Sequence, residues 1–142
     1  MAFAAPPISI TACGKIAKAG LYEVDSDLFA VGLSDCLVIT APNVSLNLNR
    51  FRLYGNTSNV GVHVMKTASK VFIEGNGAMI QTFGVGLQID AAGALADNFV
   101  VLSNTDAGVL LNHAQQADLS NFSATNNLND GVRISGGGFN VL

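Results

Sequence analysis

A four-residue pattern, Gly-apolar-x-apolar, recurs along this chain about every 23 residues, and such periodicity constrains the fold more than any other feature. Four copies begin 25, 22 and 23 residues apart: Gly61-Val62-His63-Val64, Gly86-Leu87-Gln88-Ile89, Gly108-Val109-Leu110-Leu111 and Gly131-Val132-Arg133-Ile134. A fifth copy begins at Cys36, with cysteine in the glycine position, and Cys13 lies 23 residues before it. The interval predicts a stack of similar coils.

A second apolar segment follows the same interval and is rich in β-branched and aromatic residues, which favour strands. Its copies are residues 43–48, 70–74 and 98–102. An asparagine follows each copy, and a fourth lies one interval further on: Asn49, Asn76, Asn104 and Asn127. Because asparagine tolerates the left-handed conformation, we expect these four to occupy one corner of successive coils and to stack as a ladder.

These segments are too short and too rich in Gly, Asn, Ser and Thr for a helical solenoid, and no hexapeptide, calcium-binding nonapeptide or leucine-rich frame is present. The sequence therefore predicts an all-β fold, a right-handed parallel β-helix of about four to six coils. Strand alternation sends the two apolar residues of each pattern inward as aliphatic columns.

We expect one domain, with a leader and N-terminal cap at residues 1–35 and coils at residues 36–142. The cap favours strands with a short cap over a helix, although an extra coil is also consistent with its composition. The segment 1–7 is too short for a signal peptide. It fits a mature start behind a removed signal or a disordered leader equally well. The last coil is expected to lack a cap.

Bulk properties exclude two classes of partner. The net charge is −3 and no Lys/Arg cluster exists, which argues against nucleic-acid binding. Apolar residues make up 49% of the chain, but no run approaches the roughly 18 residues of a membrane span. The two cysteines are either one disulfide or two buried thiols.

The chain resembles the pectin-lyase-like superfamily of right-handed parallel β-helix proteins. The resemblance is carried by Cys13-Gly14, Ala19-Gly20-Leu21-Tyr22, Asp27-Leu28, Cys36-Leu37-Val38-Ile39 and residues 43–49. Asn47 and Arg50 depart from the superfamily's aspartate and glycine. The resemblance implies a Cys13–Cys36 disulfide and hence an oxidising location, secreted, periplasmic or on the cell surface.

Polysaccharide lyases of this superfamily use clustered aspartates for calcium and a basic residue on one outer face. Here the predicted outward column of the glycine strands contains no carboxylate: Val38, His63, Gln88, Leu110 and Arg133. The second strand offers one acid, Glu74, with no partner in the predicted register. His63 likewise has no acidic partner in register. We therefore expect no catalytic residues, with His63, Gln88, Arg133 and Glu74 as candidate ligand-binding residues.

Two further sets complete the candidates. Asp106 and Asp130 fall near equivalent corners and would suit Ca²⁺, although corner aspartates usually serve as turn residues; no other cofactor is expected. Four apolar residues are predicted to point outward and form an interface between copies of the chain: Phe72, Val100, Leu102 and Leu110.

The sequence favours a non-catalytic β-helix module that self-associates as a homo-oligomer, binds a polysaccharide along its coil face, or does both. One alternative is a carbohydrate-active enzyme of the lyase or hydrolase type, or a fragment of one, which rests on fold analogy. The other alternative is a structural segment of a larger surface protein.

Overall fold

The computed structural model describes residues 6–142, so most of the 1–7 leader lies outside the described residues. These residues form a parallel β-solenoid of about five turns, with no helix among them. The predicted parallel β-helix is therefore confirmed. No helix within the described range is long and apolar enough to cross a membrane.

Fourteen strands make up the solenoid, and most turns contain two or three of them. Their bounds are β1 Ile8–Ile10, β2 Gly14–Ile16, β3 Gly20–Val24, β4 Leu28–Phe29, β5 Leu37–Ile39, β6 Val44–Asn47, β7 Arg52–Tyr54, β8 Val60–Val64, β9 Phe72–Gln81, β10 Val85–Ile89, β11 Leu95–Leu102, β12 Ala107–Asn112, β13 Asp118–Thr125 and β14 Asp130–Ser135.

Two parallel sheets run along the solenoid. Sheet B contains the glycine-pattern strands in the order β2-β5-β8-β10-β12-β14. Sheet A contains β1-β3-β6-β9-β11-β13, and β7 and β4 extend it beside the second half of β9. From the third turn onward, one long strand therefore replaces the two short strands of the earlier turns.

The inward columns predicted from the glycine pattern are confirmed. Val62, Val64, Leu87 and Ile89 are at most 1% exposed. Together with inward residues of sheet A they form one continuous apolar core. Burying these side chains is the main term that stabilises each coil on its neighbour.

The glycine position serves close packing between coils. A Cβ atom on Gly86 would lie 2.7 Å from the carbonyl oxygen of Gly108 and 2.8 Å from Cγ1 of Val101. Glycine recurs here because no side chain fits between the backbone of one coil and the core.

The prediction that four asparagines share one corner is wrong. Asn49 and Asn76 lie at the corner within sheet A, together with two others in the left-handed conformation, Asn98 and Asn121. Asn104 and Asn127 lie at a different corner, where sheet A leads back to sheet B. The corners differ in length between coils, so a constant interval along the chain does not keep one register.

The N-terminal strands pair directly with the coils that follow. Strand β2 pairs with β5, and β3 pairs with β6. Cys13 and Cys36 form a disulfide whose Cα atoms are 4.5 Å apart, and it joins these two levels. The division at residue 35 into cap and coils stays a prediction.

Candidate metal centre and outer surfaces

His63 projects from the outer face of sheet B, at the middle of the solenoid. Strand pairing aligns the predicted outward column, since Val38, His63, Gln88, Leu110 and Arg133 are successive register partners. The expectation that His63 lacks an acidic partner is wrong. Its Nδ1 lies 3.0 Å from Oδ2 of Asp35, and its Nε2 lies 2.8 Å from Oδ2 of Asp90.

The contacts of His63 join three levels of the solenoid. Asp35 precedes β5, His63 lies in β8, and Asp90 follows β10. The second oxygen of Asp35 accepts a hydrogen bond from the amide of Val60 at 3.0 Å. Gln88 donates from Nε2 to the second oxygen of Asp90 at 3.0 Å. The structure thus brings together two of the predicted ligand-binding residues, His63 and Gln88.

The environment of His63 is partly withdrawn from water. Its side chain is 14% exposed, while those of Asp35 and Asp90 are 28% and 18% exposed. Because these groups are partly shielded, the contacts among them are stronger and less screened by salt than those of an exposed surface pair.

Arg133 lies two levels further along the same face and forms a separate cluster. It contacts Asp106 through two hydrogen bonds of 2.7 and 3.0 Å, and Asp130 through one of 2.7 Å. The Arg133 guanidinium, with the amide of Asn129, holds the pKa of Asp106 below its usual range, and the two carboxylates raise the pKa of Arg133. Both candidate Ca²⁺ ligands therefore contact a cation of the chain itself.

Glu74, the fourth ligand-binding candidate, lies on sheet A, away from this column. The expectation that Glu74 has no acidic partner is wrong, because Asp97 is its register partner one coil further on. The sequence alignment failed because β9 contains an extra Gly75-Asn76-Gly77 corner. That insertion shifts the register, so that Phe99 pairs with Ala78.

Asp97 is held by polar neighbours of the next coil. Its Oδ1 accepts hydrogen bonds from Nδ2 of Asn121 at 2.8 Å and from Oγ of Ser120 at 2.9 Å. These bonds hold the pKa of Asp97 below its usual range, that of Asn121 contributing most. Glu74 and Asp97 thus belong to a polar column along sheet A: Glu23, Asn47, Glu74, Asp97 and Ser120.

A shallow groove follows this polar column and carries one of the predicted interface residues. Phe72, 39% exposed, lines it together with Leu95, Asp97, Asp118 and Ser120.

The other interface candidates are half-buried and lie in different columns. Val100 and Leu102 lie on sheet A, and Leu110 lies on sheet B. Their role in an interface stays a prediction.

A match to a family model covers residues 25–142 and carries the description "Periplasmic copper-binding protein (NosD)". The chain belongs to the NosD family. No curated protein and no solved structure shows significant similarity to it. The matched range includes the whole His63 cluster and every strand from β4 onward.

In the described part of this NosD-family chain, no three side chains of His, Cys, Asp and Glu are grouped to hold a metal ion. Both cysteines are in the disulfide, which leaves no thiolate ligand within it. The donor set nearest to the needs of copper is at His63, where an imidazole meets a carboxylate. Copper accepts imidazole readily, and a thioether adds a soft donor.

Asp35 and Asp90 were the residues that sequence reasoning missed at this site. Asp90 occupies a position two residues beyond the outward column, so alternation alone places it on the same face as His63. Asp35 lies in a corner, and its approach to His63 depends on the length of that corner.

Proposed function

We propose that this chain is a non-catalytic periplasmic β-helix protein that binds one copper ion through His63. The description of its family supports copper and the periplasm. The observation that carries the proposal is the contact of His63 Nδ1 with Asp35, at 3.0 Å. A histidine that ligates a metal almost always gives its other ring nitrogen to a carboxylate or carbonyl, which fixes the ring and its tautomer.

The remaining ring nitrogen, Nε2, would bind the ion together with the carboxylate of Asp90. Asp90 is already within 2.8 Å of Nε2, so the two donors converge without a change of backbone. Gln88 would orient the carboxylate through its other oxygen. The copper would supply a Lewis-acidic and redox-active centre, while the chain supplies a rigid, partly shielded position on a sheet.

We expect His63→Gln to lower the affinity for Cu(II) more than about 100-fold, and Asp35→Asn to lower it about 10- to 100-fold through ring orientation. His113→Gln is the matched control, because His113 is exposed and its Nδ1 contacts only Asn112 within the described range. Competition with a chromophoric chelator, using tag-free full-length chain, measures the affinities. Circular dichroism confirms that the variants are folded.

Equal affinity for His63→Gln and wild type would contradict the proposal, as would a greater loss in His113→Gln. The same titration gives the stoichiometry. One equivalent is expected, and its absence in the wild type would also contradict the assignment.

A second candidate function is binding of an extended carbohydrate along the outer face of sheet A. It is supported by the groove in which Phe72 lies beside Asp97, Asp118 and Ser120. An aromatic face can pack on a sugar ring while carboxylate and hydroxyl groups bond its hydroxyls. Successive coils repeat about every 4.8 Å, so a linear polymer could meet similar groups on each level. Self-association through the apolar columns beside this groove belongs to the same proposal.

We expect Phe72→Ala to abolish retention on an immobilised glycan array, with Asp97→Asn reducing it less. Phe139→Ala is the matched control, because Phe139 is 87% exposed and lies outside the groove. Product analysis on the same glycans tests the enzyme alternative, for which the paired Glu74 and Asp97 are the candidate acids.

Release of products by the wild type but not by Glu74→Gln would favour that alternative. Failure of the wild type to bind any glycan would end the carbohydrate candidate. Light scattering on each sample shows whether the chain associates.

A further inference from the structure

Met65 follows His63 by two residues at the end of β8. The two apolar residues on either side of His63, Val62 and Val64, are buried, whereas His63 and Met65 are half-buried. The amide of Met65 continues the strand ladder by donating to the carbonyl of Ile39 at 3.0 Å. Because alternate residues of a strand share a face, Met65 lies on the same outer face as His63.

Asp90 is the residue next to Met65 on the following coil. Ile89 pairs with Val64, and the Asp90 amide donates to the carbonyl of Val64 at 2.8 Å. The carboxylate of Asp90 nevertheless reaches back along the strand direction to Nε2 of His63. Met65 therefore starts beside the point where the imidazole and the carboxylate meet, and its flexible side chain has the length to reach that point.

We propose that Sδ of Met65 is the third copper ligand and that it determines which metal the site holds. This inference rests on the proposed copper site at His63. Thioethers are soft donors that favour Cu(I), whereas carboxylates favour harder ions. Zinc sites in proteins use Cys, His, Asp and Glu. A thioether beside one imidazole and one carboxylate thus retains copper after reduction and gives no comparable gain to Zn(II).

The chain offers a matched control for Met65. Met79 is also half-buried, but it lies on sheet A, where its register partners are Arg52 and Val100. Leucine has a volume similar to methionine, so Met65→Leu and Met79→Leu are both expected to fold.

The test is a set of chelator competitions on the full-length, disulfide-bonded chain, with Cu(I) under anaerobic conditions and with Cu(II) and Zn(II) in parallel. We expect Met65→Leu to lower the Cu(I) affinity about tenfold or more, because a soft ligand is lost. The affinities for Cu(II) and Zn(II) should each change less than about threefold. Met79→Leu should match the wild type with all three ions. X-ray absorption of the Cu(I) form should show a sulfur ligand that Met65→Leu lacks.

An unchanged Cu(I) affinity in Met65→Leu, or an equal loss for all three ions, would overturn the role of Met65. If His63→Gln still abolished copper binding in that case, the proposed copper site would stand and only its sulfur ligand would be wrong. If His63→Gln bound copper like the wild type, the copper site itself would be wrong, and the role of Met65 with it.

Discussion

Replacing Asn104 with alanine is expected to destabilise the solenoid by roughly 2–4 kcal/mol, since each buried group left unpaired costs about 1–3 kcal/mol. Asn104 is 1% exposed. Its Oδ1 accepts the amide of Phe83 at 3.0 Å, and its Nδ2 donates to Oδ1 of Asn127 at 2.9 Å and to the carbonyl of Ile80 at 3.3 Å. The substitution removes the partner of two buried backbone groups on the neighbouring coil.

Urea denaturation followed by circular dichroism measures this loss. Asn129→Ala is the matched control, because Asn129 is exposed and its Nδ2 contacts Asp106 at the surface. Its free energy of unfolding should change by less than about 1 kcal/mol. A similar small change in Asn104→Ala would show that the ladder contributes little to stability.

Gly86→Ala should lower the free energy of unfolding by about 1–3 kcal/mol, whereas Gly131→Ala should leave it nearly unchanged. Both occupy the first position of the repeated pattern. At Gly86 the added Cβ would lie 2.7 Å from a backbone oxygen, which cannot give way without a shift between coils. At Gly131 the nearest atom is Cβ of Ala124, at 3.4 Å.

The pair of variants differs in position and not in chemistry, so helix or strand propensity cancels. Denaturation midpoints measured side by side give the result. Equal effects at both positions would mean that glycine is needed for backbone freedom, and not for space between the coils.

The inner half of this fold could be predicted from the sequence because it depends on local alternation. Val62 and Val64 are buried for the same reason that they flank His63, and the same rule holds in each glycine strand. The stacking of these strands follows from their near-constant interval.

The outer half could not be predicted to the same depth because it depends on corner lengths. Asp35 and Asp90 contact His63 across 28 and 27 residues, and a change of one residue in a corner would move either away. The extra Gly75–Gly77 corner likewise aligns Asp97 with Glu74, where a constant interval misplaces it. Candidate residues can thus be named from alternation, but their partners depend on geometry.

The central claim is that Nε2 of His63 is the copper ligand of this chain, and anomalous diffraction tests it most directly. Crystals of the full-length protein, soaked with copper and measured on both sides of the copper absorption edge, should show one peak between Nε2 of His63 and the carboxylate of Asp90. Crystals of His63→Gln should lack that peak. A single peak at His113 or at the Asp106–Arg133 cluster, with none at His63, would contradict the account.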